Sequence, residues 1–329
     1  MIIKFYNPSK LQNFQLTAPV SLHLHMGNKF IKFIFFSNYF VGLLSVALSI
    51  EMSLQAHLPF NSVAFYSLLF MTTVLYYTYA YVGPVNANSS VNPRTEWYRK
   101  NNRFVKTSQL IFLTASAILI VYLGINNLEA IFQLELVYWL LGVIIVMAAL
   151  LYYGLLPKSF IRLNLRGTGW VKAFVIGFVW ASCVNILPLI DIKIEKGALV
   201  ADPVWVSWLF VKNFMFCTVN AIMFDIKDYA DDSNRQLKTF VVRYGLHKTI
   251  FFILIPLLLV GVISLTLFTM AQGINRVAIL LNLLPFACLL FVAYSLQKEK
   301  RILYYLVIID GLIFFKALCG IAGVLLTNI

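Results

Sequence analysis

Charge is what this chain has least of. Only 12% of its 329 residues are charged, and just thirteen of them are carboxylates. A water-soluble domain of this length needs far more polar surface to cover a core, so a soluble fold is excluded. Cysteine is almost as scarce. Cys183, Cys217, Cys288 and Cys319 all lie in apolar runs, and none has a C-x-x-C partner. That excludes a disulfide scaffold and a thiol metal centre, and leaves four small apolar fillers. The four histidines, His23, His25, His57 and His247, are scattered through the tail and loops. Only His23 and His25 stand close enough to share a metal, and they fall in what reads as a tail. No low-complexity tract or linker interrupts the sequence.

What the chain does have is apolar length: 61% hydrophobic residues and a mean hydropathy of +0.84. Stretches near the 20 residues that a bilayer demands recur at 30–50, 59–82, 104–125, 133–153, 170–190, 203–224, 249–271, 277–296 and 303–326. The expected fold is therefore all-α, a multi-pass transmembrane bundle of nine helices. Residues 1–28 form an N-terminal tail and 29–329 a single membrane domain. The tail lacks a signal-peptide pattern, and Met26 is a plausible alternative start. Lys and Arg test the count independently. On this scheme 21 of the 26 basic residues lie in the N-terminal segment and the even-numbered loops. The positive-inside rule then puts the N-terminus in the cytoplasm and the C-terminus on the opposite side, with the plasma (inner) membrane of a bacterium as the expected location. The net charge of +13 thus reports topology, not nucleic-acid binding. Two cytoplasmic stretches, in the 2–3 and 6–7 loops, are long enough to hold short helices capping the bundle.

Against this basic background, four of the thirteen acids crowd into eight residues: Asp225, Asp228, Asp231 and Asp232. At about 100° per residue, Asp225, Asp228 and Asp232 fall within roughly 60° of one another on a helix, while Asp231 points away. Three carboxylates on one face at the mouth of a bundle can hold a divalent cation against a diphosphate. Basic residues from three loops could steady the remaining charge: Arg99 and Arg103 from the 2–3 loop, Lys158 and Arg162 from the 4–5 loop, Lys238 and Arg243 from the 6–7 loop. The plainer account of these six is the positive-inside bias.

The register around the acids, Asp225, Asp228, Asp232, Lys238, Thr239, Arg243 and Gly245, resembles the second aspartate-rich motif of the UbiA-type intramembrane prenyltransferases. Nine helices and long 2–3 and 6–7 loops agree with that family over roughly residues 30–326. The resemblance implies Mg²⁺ at Asp225, Asp228 and Asp232 as the catalytic and metal set, and diphosphate binding by Lys158, Arg162, Lys238 and Arg103. It also implies substrate contacts from Asn38, Thr78 and Tyr153; Tyr153 with Lys158 looks like the family's Tyr and Lys at the end of helix 4. The implied partners are a prenyl diphosphate, a lipophilic acceptor and membrane lipid. The chain departs from the family at the end of helix 2, where a first aspartate-rich motif belongs. Tyr77 to Asn88 contain no carboxylate, Glu96 is the only acid between residues 52 and 128, and Asn86, Asn88 and Asn92 offer only neutral oxygens.

Two other readings stay open at this point. One is a non-catalytic descendant of the fold that binds an isoprenoid lipid or a partner. The other is a lipid transporter, suggested by ionisable residues inside spans, Lys212, Asp310 and Lys316. For Asp310 and Lys316 the plain account is interhelical hydrogen bonding or snorkelling. Asn213 and Asn220 share a helical face about 120–140° from Asp225 on an ideal helix.

Overall fold

The computed structural model describes residues 21–82, 93–155, 165–197, 202–234 and 236–326, and among these every regular element is helical. In chain order they are α1 (Ser21–Phe36), α2 (Tyr39–Gln55), α3 (Val63–Val82), α4 (Pro93–Lys100), α5 (Asn102–Asn126), α6 (Leu128–Phe132), α7 (Leu136–Tyr153), α8 (Val171–Lys196), α9 (Pro203–Lys227), α10 (Tyr229–Asn234), α11 (Phe240–Tyr244), α12 (Leu246–Ala271), α13 (Arg276–Ser295) and α14 (Ile302–Leu325). Eight helices among the described residues are long and apolar enough to cross a membrane, and the α1–α2 pair, bent by 62°, makes a possible ninth span. The chain is a multi-pass integral membrane protein.

The first expected span, 30–50, ran straight through that bend. It breaks at Asn38, which adopts a left-handed φ of 66°. The Phe36 carbonyl freed by the break accepts from the Arg94 guanidinium, at 3.3 Å from Nε and 3.2 Å from Nη2. A helix end needs such a partner when it is buried. The other differences lie at helix ends. α2 runs on to Gln55, α8 to Lys196 and α9 to Lys227, which brings Glu51 and Asp225 inside the helical bundle. Short helices do occupy the two long connections: α4 in the first, α10 and α11 in the second.

The core lies where α9 meets its neighbours. Phe216, Ile222 and Met223 of α9, Leu44 and Leu48 of α2, Leu254 and Leu258 of α12 and Leu289 of α13 are all fully buried. By contrast α5 and α7 turn apolar residues outward, among them Leu110, Ile118, Tyr122, Trp139 and Val143. Such a surface suits hydrocarbon and not water. Three of the long helices contain a π turn: Ser182–Ile186 in α8, Ile250–Leu254 in α12 and Tyr305–Ile309 in α14. The last immediately precedes Asp310, and a π turn resets which residues face inward from there on.

The close approach of α8 to α9 depends on a missing side chain. A Cβ at Gly177 would overlap the Thr218 hydroxyl and stand 3.0 Å from the Phe214 carbonyl oxygen. Gly177→Ala is expected to lower unfolding free energy in detergent by about 1–3 kcal/mol, the usual cost of overpacking. Gly142→Ala on α7, where a Cβ meets nothing within 4 Å, should be neutral by the same melting assay.

Candidate functional site

At the end of the bundle that carries α4 and α10, six helices enclose a chamber of about 170 Å³. Its wall combines Asn38 and Val41 of α2 with Tyr77 and Tyr81 of α3, Tyr152 and Tyr153 of α7, and Lys172 and Trp180 of α8. From α9 and its cap come Asn220, Asp225, Lys227 and Asp228, and from α14 Asp310; Arg94 and Arg166 reach in from the connecting segments. Four cations thus face three carboxylates.

Helix geometry explains the acidic side. Asp225 occupies the last turn of α9, Asp228 caps it, and Asp232 follows on α10. Hydrogen bonds Asp228 N to Phe224 O at 3.1 Å and Asp232 N to Asp228 O at 2.8 Å carry the helical register through the joint. The three side chains therefore share a side, but a cation already stands among them. The Lys172 ammonium lies 2.7 Å from Asp225 Oδ1 and 3.2 Å from Asp232 Oδ2, and all three residues are buried. Asp228 is more open and pairs with Lys227 at 3.1 Å. Asp232 stands behind Lys172, outside the chamber wall.

Among the described residues, no three His, Cys, Asp or Glu side chains group as a metal site. Two buried acceptors are nevertheless unmet there: Asp225 Oδ2 and Asn220 Oδ1 have no hydrogen-bond partner among the described residues. A buried, unpaired carboxylate oxygen is costly unless a donor or cation visits it. Asp225, through its Oδ2, and Asp228 both line the chamber and are the residues that could hold a metal ion there, which ordinarily takes one or two carboxylates when it is Mg²⁺.

Another part of the wall is built around Asn38 and Arg94. Asn38 donates through Nδ2 to Thr78 Oγ1 and to Tyr98 Oη, each at 3.1 Å. Its Oδ1 accepts from Arg94, which also donates to Tyr81 Oη at 3.1 Å and lies 4.4 Å over the Tyr81 ring. Burial raises the pKa of the Tyr98 hydroxyl, although neighbouring Arg94 opposes the shift. At the exposed flank of α4, the Lys100 hydrogen bond lowers the pKa of Glu96. α4 thus delivers a fixed guanidinium beside Asn38 and Tyr81.

The other expected residues divide cleanly. Tyr153 lines the chamber, with the Arg166 guanidinium 5.4 Å from its ring centroid. Asn38 faces the chamber, whereas Thr78 backs it from behind. Lys238 and Arg103 have exposed side chains and are not on the chamber wall among the described residues. The Lys238 carbonyl instead accepts from Trp170 N at 3.1 Å. Lys158 and Arg162 lie outside the described residues. Asn220 lines the chamber, whereas Asn213 turns to a separate network with Asn185 and Lys316. Sequence reasoning missed Lys172, Arg94 and Arg166, which it counted only as positive-inside residues.

The chamber does not stop at its charged lining. Tyr77, Tyr152, Tyr153, Ile176 and Trp180 also line an apolar groove of about 220 Å³ that runs between α3, α7 and α8 past Leu69, Val179 and Leu187. Tyr77 and Trp180 are hydrogen-bonded at the junction of the two spaces.

Removing the central cation tests the clamp. Lys172→Met is expected to cost about 3–5 kcal/mol in unfolding free energy, since it strands two buried carboxylates. Adding Asp225→Asn to that variant should restore part of the loss in the same denaturation series. A double variant no more stable than the single one would show that the pair does not organise this joint.

Compared with known proteins, the chain matches no family model, no curated protein and no solved structure.

Proposed function

We propose that the chain is a membrane-embedded prenyltransferase that moves a prenyl group from a prenyl diphosphate to a lipophilic acceptor and releases pyrophosphate. The supporting observation is that a charged chamber and an apolar groove adjoin, with five lining side chains in common. That shape matches an amphiphile with a polyanionic head and a long apolar tail. In this reading the head lies among Arg94, Arg166, Lys172 and Lys227, and the tail follows the groove toward lipid. The ring faces of Tyr77, Tyr152, Tyr153 and Trp180 stand at the junction, where breaking the C–O bond would leave an allylic cation for them to stabilise. The fixed basic groups meet the charge that grows on the departing diphosphate. Asp225 and Asp228 would hold Mg²⁺, which neutralises the leaving group when bound. In this reading the Lys and Arg distribution supports a chamber mouth on the cytoplasmic side of a bacterial plasma membrane.

A second reading, binding of an isoprenoid diphosphate without turnover, is favoured by one observation: Lys172 occupies the space between Asp225 and Asp232. One experiment separates the two. Purified protein in nanodiscs is given a panel of prenyl diphosphates and lipophilic acceptors, and both pyrophosphate release and binding are followed with and without Mg²⁺. Transfer predicts Mg²⁺-dependent release that falls by about 100-fold or more in Asp225→Asn. Tight binding with no release in any combination would favour the second reading. Neither binding nor release would sink both.

A further inference from the structure

A second cluster of buried charge lies away from this chamber. Glu51 of α2 sits between two lysines: Lys212 Nζ of α9 is 3.1 Å from its Oε1, and Lys316 Nζ of α14 is 2.6 Å from its Oε2. All three are buried. Neutral oxygens complete the set. Lys212 also donates to Gln55 Oε1 at 2.6 Å and Asn282 Oδ1 at 3.2 Å, and Lys316 donates to Asn213 Oδ1. Asn213 in turn donates to Asn185 Oδ1 at 3.1 Å. The fold makes room for this network at Gly320, where a Cβ would collide with Glu51 and stand 2.6 Å from Gln55 Nε2.

Lys212 meets three acceptors and Lys316 two, but the charges do not balance. One carboxylate faces two ammoniums, so among the described residues one positive charge has no counter-charge inside an apolar bundle. Dipoles soften that cost and do not cancel it. Lys212 is also the member of the trio that borders open space. It lines a cavity of about 290 Å³ enclosed by Gln55, Trp205, Trp208, Leu209, Ala278, Asn282 and their neighbours. This cavity belongs to the first half of α9 and the chamber to its last turns, so the two open at opposite ends of the bundle. Trp208 sits one turn before Lys212 on the same face. Its buried Nε1 has no hydrogen-bond partner among the described residues. A cation in excess and a residue with an idle N–H donor thus line one amphipathic space.

We infer that this cavity is a second ligand site, which takes the carboxylate of a small or amphiphilic acid. Lys212 supplies the charge and Trp208 Nε1 a hydrogen bond. The carboxylate replaces the neutral Asn282 oxygen, the longest of the three Lys212 contacts, and brings the local charge to zero. A monoanion suits the single excess charge, whereas a phosphate dianion would leave the cluster negative. The apolar wall at Leu209, Leu265 and Ile279 accommodates a short hydrocarbon chain behind the carboxylate.

The test is calorimetric titration of the full chain in nanodiscs with octanoate, acetate, octanol and inorganic phosphate, using protein-free nanodiscs as the blank. Octanoate should bind and octanol should not. Acetate competition would identify a free carboxylate as a sufficient ligand, and octanoate binding alone would identify an amphiphile. Lys212→Gln is expected to weaken octanoate about tenfold or more, and Trp208→Phe, which leaves the charged trio intact, about three- to tenfold. The inference is overturned if octanol binds as well as octanoate, if phosphate displaces it, or if Trp208→Phe binds as tightly as the parent protein.

Discussion

A charge inside an apolar bundle must have a partner, and the interior of this protein is arranged around that requirement. Lys172 holds Asp225 and Asp232 together at the joint between α9 and α10, while Glu51 divides its single charge between Lys212 and Lys316. Both clusters use α9, the helix at the centre of the packing. The first draws α8 onto the end of α9 and fixes the side on which the aspartates lie. The second ties α2, α9 and α14 together nearer the opposite surface. Gly177 and Gly320 let the helices come close enough for these contacts to form.

From that arrangement the shape of the candidate site follows. The acidic joint and the Arg94–Asn38 pair close a chamber from two sides, and the aromatic side chains at the ends of α3, α7 and α8 separate it from the apolar groove. An amphiphile with an anionic head satisfies both halves at once. The unpaired oxygen of Asp225 gives the chamber an open acceptor, while Lys172 limits how many carboxylates a metal ion can claim.

Helical class and the positions of the spans were legible from hydropathy alone, because a bilayer imposes a length that any apolar run must meet. The joint carrying Asp225, Asp228 and Asp232 was legible too, since local spacing determines which residues share a helical side. Contacts between distant segments were not. Glu51 meets Lys212 and Lys316 across 161 and 265 positions, and its apparent place just beyond the end of a span hid its depth. α2 starts after the break at Asn38 and runs on to Gln55, so that Glu51 lies inside. Arg94 was similarly hidden. Its task depends on a carbonyl freed at Phe36, and a loop arginine that binds a helix end looks like any other positive-inside residue. Lys172 sits at the first turn of a span, where a snorkelling side chain and a buried clamp have the same sequence signature.

The central claim, that an anionic head occupies the charged chamber while its tail lies in the adjoining groove, is tested most directly by photolabelling. A prenyl diphosphate carrying a photoreactive group near the end of its tail would be crosslinked to the protein in nanodiscs and the labelled peptides mapped. The account predicts labelling of α3, α7 and α8 around Leu69, Tyr76, Val179 and Leu187, suppressed by excess unlabelled diphosphate. Labelling spread over the outward faces of α5 and α7, or concentrated on α12 and α13 and unaffected by competitor, would contradict it.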